Sequence, residues 1–401
     1  MKKDVLFLCQ FFYPEYNSSA VLPFDTAAAL VAKGFSVGAL CGYPKEYNKV
    51  GTMPKKEVKD GVAIKRVKYL QCKRNHKLGR LVNYFSFTGK MFLHIFELRK
   101  YKAVMVYSNP PILPLVAICA HRLFETKIIF VSYDVYPEVA YASRSLTEEG
   151  VIAKAMSWLN HKFFKEVSMV VALTEEMRSF LLHHRSELTP SRIVVIPNWA
   201  HEEKVSSKMP DYCLKDEKEF VVSYFGNLGI CQDIRSLCEA IELLQKEPNI
   251  HFLIAGHGSK MPEFQRQVQN YPNVSCMDFL NGTDFLKALK SSSCGIVSLE
   301  KGLKGMCAPS KYYSYLHSGT PVIAIVEEDS YLAKEIQEQQ LGFVTPQGDG
   351  KSLAKAIKTI YRQRETRYKM GKNASSLYQQ KYNIASAQEK YERLICEILE
   401  Q

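Results

Sequence analysis

Short apolar runs alternate with helix-like stretches along the whole chain. In the first half the runs Val5–Phe12, Ser36–Cys41, Val62–Val67, Ala103–Tyr107, Ile128–Val131, Met169–Leu173 and Ile193–Ile196 predict buried strands. Between them, Ala20–Lys33 and Ile152–Lys165 carry helical spacing. Near-continuous apolar strands separated by helices predict parallel sheets covered on both faces. The pattern pauses at the polar stretch Asn198–Lys218, which contains Pro210, and restarts at Phe220–Phe225. It then repeats, with strands predicted at His251–Ala255, Val274–Cys276, Gly295–Leu299, Pro321–Ile325 and Gly342–Val344. The expected fold class is α/β, as two Rossmann-like doubly wound domains facing across a cleft, with ligands at the strand C-termini. The predicted domains are 1–200 and 201–382. A closing segment, 383–401, carries apolar residues at helical spacing (Ile384, Ala387, Tyr391, Leu394, Ile395, Ile398) and is expected to pack back on the first domain.

A length of 401 residues supports two domains. The formal net charge is +12, and Lys45–Lys102 alone carries 16 basic and 4 acidic residues, so the remainder is balanced. An anionic partner is therefore expected at one segment only. Within it, Lys45–Arg80 reads as charge-rich and loop-like, whereas Leu81–Leu98 reads as an aromatic amphipathic helix. That combination suits an anionic membrane surface, with a core helix flanked by solvated lysines as the plain alternative. Nucleic acid is not expected, because the aromatics cluster in one helix and do not interleave with the charges. The 11 cysteines form no Cys-x-x-Cys pair, which predicts a reduced, cytoplasmic protein. Lys2 and Lys3 precede an apolar run that meets Tyr13-Pro14-Glu15 without a small-residue cleavage site, so it reads as a first strand.

Candidate chemistry gathers at strand ends. Asn17, Ser18 and Ser19 follow the first strand and open a helix, which makes either an anion-binding loop or an ordinary N-cap. Ser108-Asn-Pro-Pro111 reads as architecture, two prolines fixing a turn. Asp134, at the end of the Ile128–Val131 strand with Glu138 a turn on, is placed to accept a proton from a sugar hydroxyl or to cap a turn. In the second half, Gly226 and Gly229 allow backbone to approach a phosphate, with Asn227 and Gln232 as neutral donors. Gly256 and Gly258 form a second glycine turn suited to a nucleoside. Ser310 and Lys311 precede a helix, where a hydroxyl and a cation would neutralise a diphosphate without a metal. None of the aspartates forms an Asp-x-Asp pair, so no metal is expected.

In combination, Phe12-Tyr-Pro-Glu15, Ser108-Asn-Pro-Pro111, Asp134-Val-Tyr-Pro-Glu138, Val195-Ile-Pro-Asn-Trp199, Gly226-Asn-Leu-Gly229, Gly256-His-Gly258 and Pro309-Ser-Lys311 before Gly319-Thr-Pro-Val-Ile323 resemble the retaining glycosyltransferases of family 4. The resemblance is to the bacterial branch that builds capsule, O-antigen and exopolysaccharide units, and it spans almost the whole chain. It implies the GT-B fold and transfer from a nucleotide sugar, most often UDP-linked, to a polyprenyl-diphosphate-linked glycan at the cytoplasmic face of the membrane. It places Gly226, Asn227, Gln232, Ser310 and Lys311 at the donor diphosphate, Gly256 and Gly258 near the nucleoside, and Asp134 near the acceptor and transferred sugar. Members commonly have an Arg and a Lys where this chain has Asn227 and Gln232, and two glutamates where it has Met306 and Ser314. Those departures keep a second reading open, a catalytically silent partner of another transferase; a sugar-nucleotide epimerase on the same fold is a third.

Overall fold

The computed structural model describes residues 2–44, 53–72, 77–200, 219–280 and 282–400. Two compact units emerge, one taking in Met1–Asn198, Gly305–Ala308 and Ile384–Gln401, the other Trp199–Lys304 and Pro309–Asn383.

The first unit contains β1 (Lys3–Cys9), α1 (Ser18–Ala32), β2 (Val37–Gly42), β3 (Lys56–Lys59), β4 (Val62–Val67), α2 (Lys77–Leu93), α3 (Ile95–Leu98), β5 (Tyr101–Tyr107), α4 (Pro114–Phe124), β6 (Lys127–Val131), α5 (Glu138–Ala142), α6 (Val151–Glu166), β7 (Met169–Ala172), α7 (Glu175–His184) and β8 (Ile193–Val195). Its strands form one sheet in the order β3-β4-β2-β1-β5-β6-β7-β8. Every pair is parallel except β3 with β4. The central strands are buried on both faces, which is why β1 and β5 read as unbroken apolar runs. β3 corrects the loop-like reading of this region. Its Lys-Glu-Val-Lys sequence lies at the sheet edge with no residue fully buried, so it carries no apolar signal. Asp60 and Gly61, at φ 48° and 76°, make the two-residue hairpin turn that joins β3 to β4.

In the second unit the elements are β9 (Phe220–Asn227), α8 (Arg235–Leu243), β10 (Ile250–His257), α9 (Met261–Val268), β11 (Val274–Met277), α10 (Gly282–Lys290), β12 (Cys294–Ser298), α11 (Lys311–Ser318), β13 (Val322–Ile325), α12 (Tyr331–Glu338), β14 (Gly342–Thr345), α13 (Gly350–Arg362) and α14 (Arg364–Leu377). The sheet is wholly parallel, in the order β11-β10-β9-β12-β13-β14. Chain direction across the sheet reverses between β9 and β12, the topological switch point where such sheets bind ligands. Apolar clusters cover both faces, one built around Phe252, Phe264 and Ile357, the other around Tyr315, Leu316 and Ile336.

The last helix, α15 (Ile384–Glu400), belongs to the first unit, where it packs on α1 and β5. Tyr391, Leu394, Ile395 and Ile398 are its buried stripe, and a Lys33–Glu392 ion pair of 2.9 Å closes its edge against α1.

Candidate active site

In the first unit the candidate residues occupy the C-terminal ends of β1 and β6. Asn17 stands at the N-cap position of α1 in extended conformation, yet its side chain makes no capping bond. Both polar atoms of its amide are buried without a partner. Asn17 therefore occupies the cap position without making the side-chain bond of an ordinary cap. Ser18 and Ser19 open the same helix beside it.

Asp134 lies just beyond β6, half-buried, and pairs through its backbone with Cys307. Ser108, buried at the end of β5, accepts the backbone N–H groups of both Tyr133 (3.0 Å) and Asp134 (3.1 Å) through its Oγ. The Ser108-Asn-Pro-Pro111 segment therefore does more than turn the chain: it fixes the backbone that carries Asp134. Burial pushes the Asp134 carboxyl up to about 6. Val135 N–H donates to the Met306 carbonyl at 2.8 Å, so the Met306 backbone braces the next residue. Met306 and Ala308 also pack against the apolar core of this unit.

Glu138 is committed elsewhere. Both its carboxylate oxygens accept from Arg185, at 2.6 and 2.7 Å, and Arg185 also donates to the Tyr136 carbonyl at 3.0 Å. This forked pair is largely buried and ties α5 to the end of α7, so the expectation that Glu138 contacts an acceptor gives way to a packing role.

In the second unit the loops after β9, β10 and β12 meet beside the switch point. Gly226 has φ 104° with open space where a side chain would stand, as backbone approached by a ligand requires. The other turn glycines answer to packing. A Cβ on Gly256 would lie 1.9 Å from the Gly226 carbonyl oxygen, and one on Gly258 would lie 2.3 Å from that of Leu228. Gly229 N–H donates to Gln232 Oε1 at 2.8 Å, so the Gln232 side chain closes its own loop and its carbonyl end is not turned to a phosphate. Asn227 ends β9 exposed.

Lys311 is the first residue of α11, preceded by Ser310. Its ammonium sits 4.5 Å from the centre of the Tyr224 ring, and the Tyr224 hydroxyl donates to the Asn227 carbonyl at 2.9 Å. One buried tyrosine thus joins the Pro-Ser-Lys helix start to the glycine loop of β9. Ser314 follows one turn later, half-buried on the same helix.

Sequence reasoning missed Tyr224, which reads as one more apolar residue in a strand. It also missed Lys260. The Lys260 ammonium donates to the Gln232 carbonyl at 2.6 Å and pairs with Glu300 at 2.5 Å, clamping all three loops together. Its signal in the sequence was faint, a lysine two residues after a glycine turn.

Two doubly wound parallel-sheet units, each with candidate polar groups at its strand ends, define the GT-B class of fold. A family model described as "Glycosyl transferases group 1" matches residues 219–363, and one described as "Glycosyl transferase 4-like domain" matches residues 24–199. The chain belongs to this family of glycosyltransferases. The "Probable glycosyltransferase WbjE" of Pseudomonas aeruginosa is 23% identical over 271 residues, 65% of this chain and 66% of the relative. The "Putative colanic acid biosynthesis glycosyl transferase WcaI" of Escherichia coli (strain K12) is 22% identical over 269 residues, 64% of this chain and 65% of the relative. In both cases the match spans just under two thirds of the relative's own length. Among solved structures, HepE from Anabaena in complex with UDP and glucose has a TM-score of 0.71 at 14% identity, covering 98% of this chain and 100% of that one.

Proposed function

We propose that this protein is a retaining, metal-independent glycosyltransferase that moves a sugar from a UDP-linked donor to a polyprenyl-diphosphate-linked glycan in surface-polysaccharide synthesis. The observation that carries the reading is Lys311, whose ammonium is held on Tyr224 beside the β9 loop at the start of α11. When the glycosidic bond to the nucleotide breaks, negative charge builds on the departing diphosphate. A fixed cation, the first N–H groups of α11 and the open backbone at Gly226 are the groups that stabilise such charge without rearranging. Asp134, with Asn17, Ser18 and Ser19, serves the acceptor side, and Ser310 and Ser314 contribute hydroxyls to the donor. Kinship to WcaI, named for colanic acid biosynthesis, supports the polysaccharide setting, and HepE, solved with UDP and glucose, supports the choice of nucleotide.

Calorimetric titration with UDP, GDP, dTDP and CMP sugars tests this. Saturable binding of a UDP-sugar is expected, unchanged by a chelator, and the product should keep the donor's anomeric configuration by NMR. Binding that requires a divalent cation, or no binding by any of the four, would remove the reading.

The same proposal places the enzyme peripherally on the inner face of the cell membrane through the 45–102 segment, of which residues 45–52 and 73–76 lie outside the described residues. No described helix is long and apolar enough to cross a membrane. Support comes from α2, which turns Asn83, Phe87 and Met91 inward and leaves Phe85 63% and Leu93 72% exposed. α4 packs between α2 and α6, and α6 presents Val151 at 85% and Trp158 at 60% exposure, with the Lys162 ammonium 6.0 Å from the Trp158 ring. Apolar side chains among lysines suit the interface of an anionic bilayer, each cation contributing about 1 kcal/mol. Binding to vesicles containing anionic lipid is expected, weakened by salt and by a Phe85→Ser/Trp158→Ser double substitution. Equal binding to neutral vesicles, or none to either, would count against it.

A further inference from the structure

The second unit has a cavity along one side of its sheet, from Glu219 before β9 to Met277 at the end of β11. It encloses about 900 Å³, within the range of small-molecule sites, and lies between α14 and the segment that joins α10 to β12. Its floor is Val221, Leu253 and Met277, from the first halves of β9 and β10 and the end of β11. Leu253 on β10 lines the cavity three residues before Gly256, so about 10 Å of extended strand lies between them, and none of the residues of the donor loops lines the cavity.

The walls are cationic. Arg364, Arg367 and Lys372 reach the cavity from α14 and Lys290 from the end of α10, while Glu219 is the single carboxylate among its described lining residues. None of those four cations has a carboxylate partner among the described residues. Arg367 lies 5.3 Å over the Phe220 ring, which orients its guanidinium plane. Burial, and then the neighbouring Arg364 charge, hold that guanidinium below its ordinary range, so the pair is in mutual repulsion that an anion would relieve. The backbone here is tightly set. A Cβ on Gly371 would lie 2.4 Å from the Gly319 carbonyl oxygen, so α14 presses directly on the turn before β13. Ser275 Oγ, bonded to His251 Nε2 at 2.8 Å, adds a hydroxyl on the floor.

We propose that this cavity is a second ligand site, distinct from the donor site, that takes a small phosphate-bearing anion. Two neighbouring guanidiniums, with two ammoniums lining the same cavity, suit the forked geometry and multiple charge of a phosphate ester or diphosphate, and the apolar floor accommodates an uncharged moiety attached to it. A soluble sugar phosphate and the head of a lipid diphosphate share this chemistry. The site does not depend on the donor reading, because none of its residues belongs to the loops that carry it.

Inorganic pyrophosphate is the probe, titrated calorimetrically into the full chain carrying Lys311→Ala so that the donor site does not contribute. Binding is expected to persist in that chain and to weaken at least tenfold when Arg364→Gln and Lys372→Gln are added. Both added changes are at exposed positions, so unchanged thermal melting will show that the fold survives. Arg364→Lys should recover part of the affinity. Competition by glucose 1-phosphate against a short prenyl diphosphate then assigns the source, and displacement by either supports the site. No binding in the Lys311→Ala chain at millimolar pyrophosphate, or equal binding in the charge-depleted variant, overturns the proposal. Failure of UDP-sugar binding in the wild-type chain would instead count against the donor reading alone.

Discussion

Lys311→Ala is expected to abolish glycosyl transfer, by on the order of 10²- to 10³-fold in kcat, while the second unit stays folded. The magnitude is that of removing one preorganised group aimed at charge that develops in the transition state. Lys311 is the cation held on the Tyr224 ring at the start of α11, whereas Lys260 pairs with Glu300 and Lys304 with Asp329. Loss of the Lys311–Tyr224 contact costs the fold only about 0.5–1 kcal/mol, so thermal melting should shift by a few degrees at most. Tyr224→Phe makes a useful companion. It keeps the ring beneath the ammonium but removes the hydroxyl that holds the Asn227 carbonyl, so a smaller loss, felt mainly in KM for the donor, is expected. Steady-state kinetics with the UDP-sugar identified by calorimetry checks both. Full activity in Lys311→Ala would show that charge on the leaving diphosphate is neutralised elsewhere.

The fold was largely legible because buried parallel strands carry an unmistakable signal. β1, β5, β6 and β9 read as unbroken apolar runs, and the helices between them follow from spacing. β3 was invisible for the converse reason: an edge strand with a polar sequence has no hydrophobic period, and only Asp60-Gly61 marked its turn. Candidate site residues stand out in the sequence where chemistry and chain position coincide. Asp134 and Lys311 stand at strand and helix ends, where a charged residue next to an apolar run is conspicuous. Glu138 stood out equally, yet its role is decided by Arg185, 47 residues away in sequence, and pairings at that distance leave no local trace.

The glycines show the same limit from another side. Gly226, Gly256 and Gly258 look alike as residues in turns, but only Gly226 combines a left-handed backbone with open space; the other two are required by a carbonyl oxygen of the neighbouring loop. Sequence identifies where backbone must pass closely and does not say whether the thing it passes is a ligand or the protein itself. Tyr224 and Lys260 were missed because both act through loops that are remote in sequence and adjacent only in the folded sheet.

Asp134→Asn is the substitution expected to separate function from stability most cleanly. If the carboxylate takes or orients the acceptor proton, its loss should lower kcat/KM by about 10²- to 10⁴-fold, the usual range for a general base. Wild-type activity should rise with pH through about 6, where burial has moved this carboxyl from its ordinary 3.8, and that limb should vanish in the variant. Stability moves the other way. Because the folded value lies above that of the unfolded chain, the neutral acid favours the native state fully below about 4, and this contribution is lost as pH rises through about 6. Asparagine has no proton to lose. The variant should therefore melt higher than wild type at pH 8 and show no such advantage at pH 4. A variant that is inactive but melts alike at both pH values would mean that Asp134 titrates normally, leaving the Ser108-braced backbone, and not a tuned carboxyl, as what this strand end contributes.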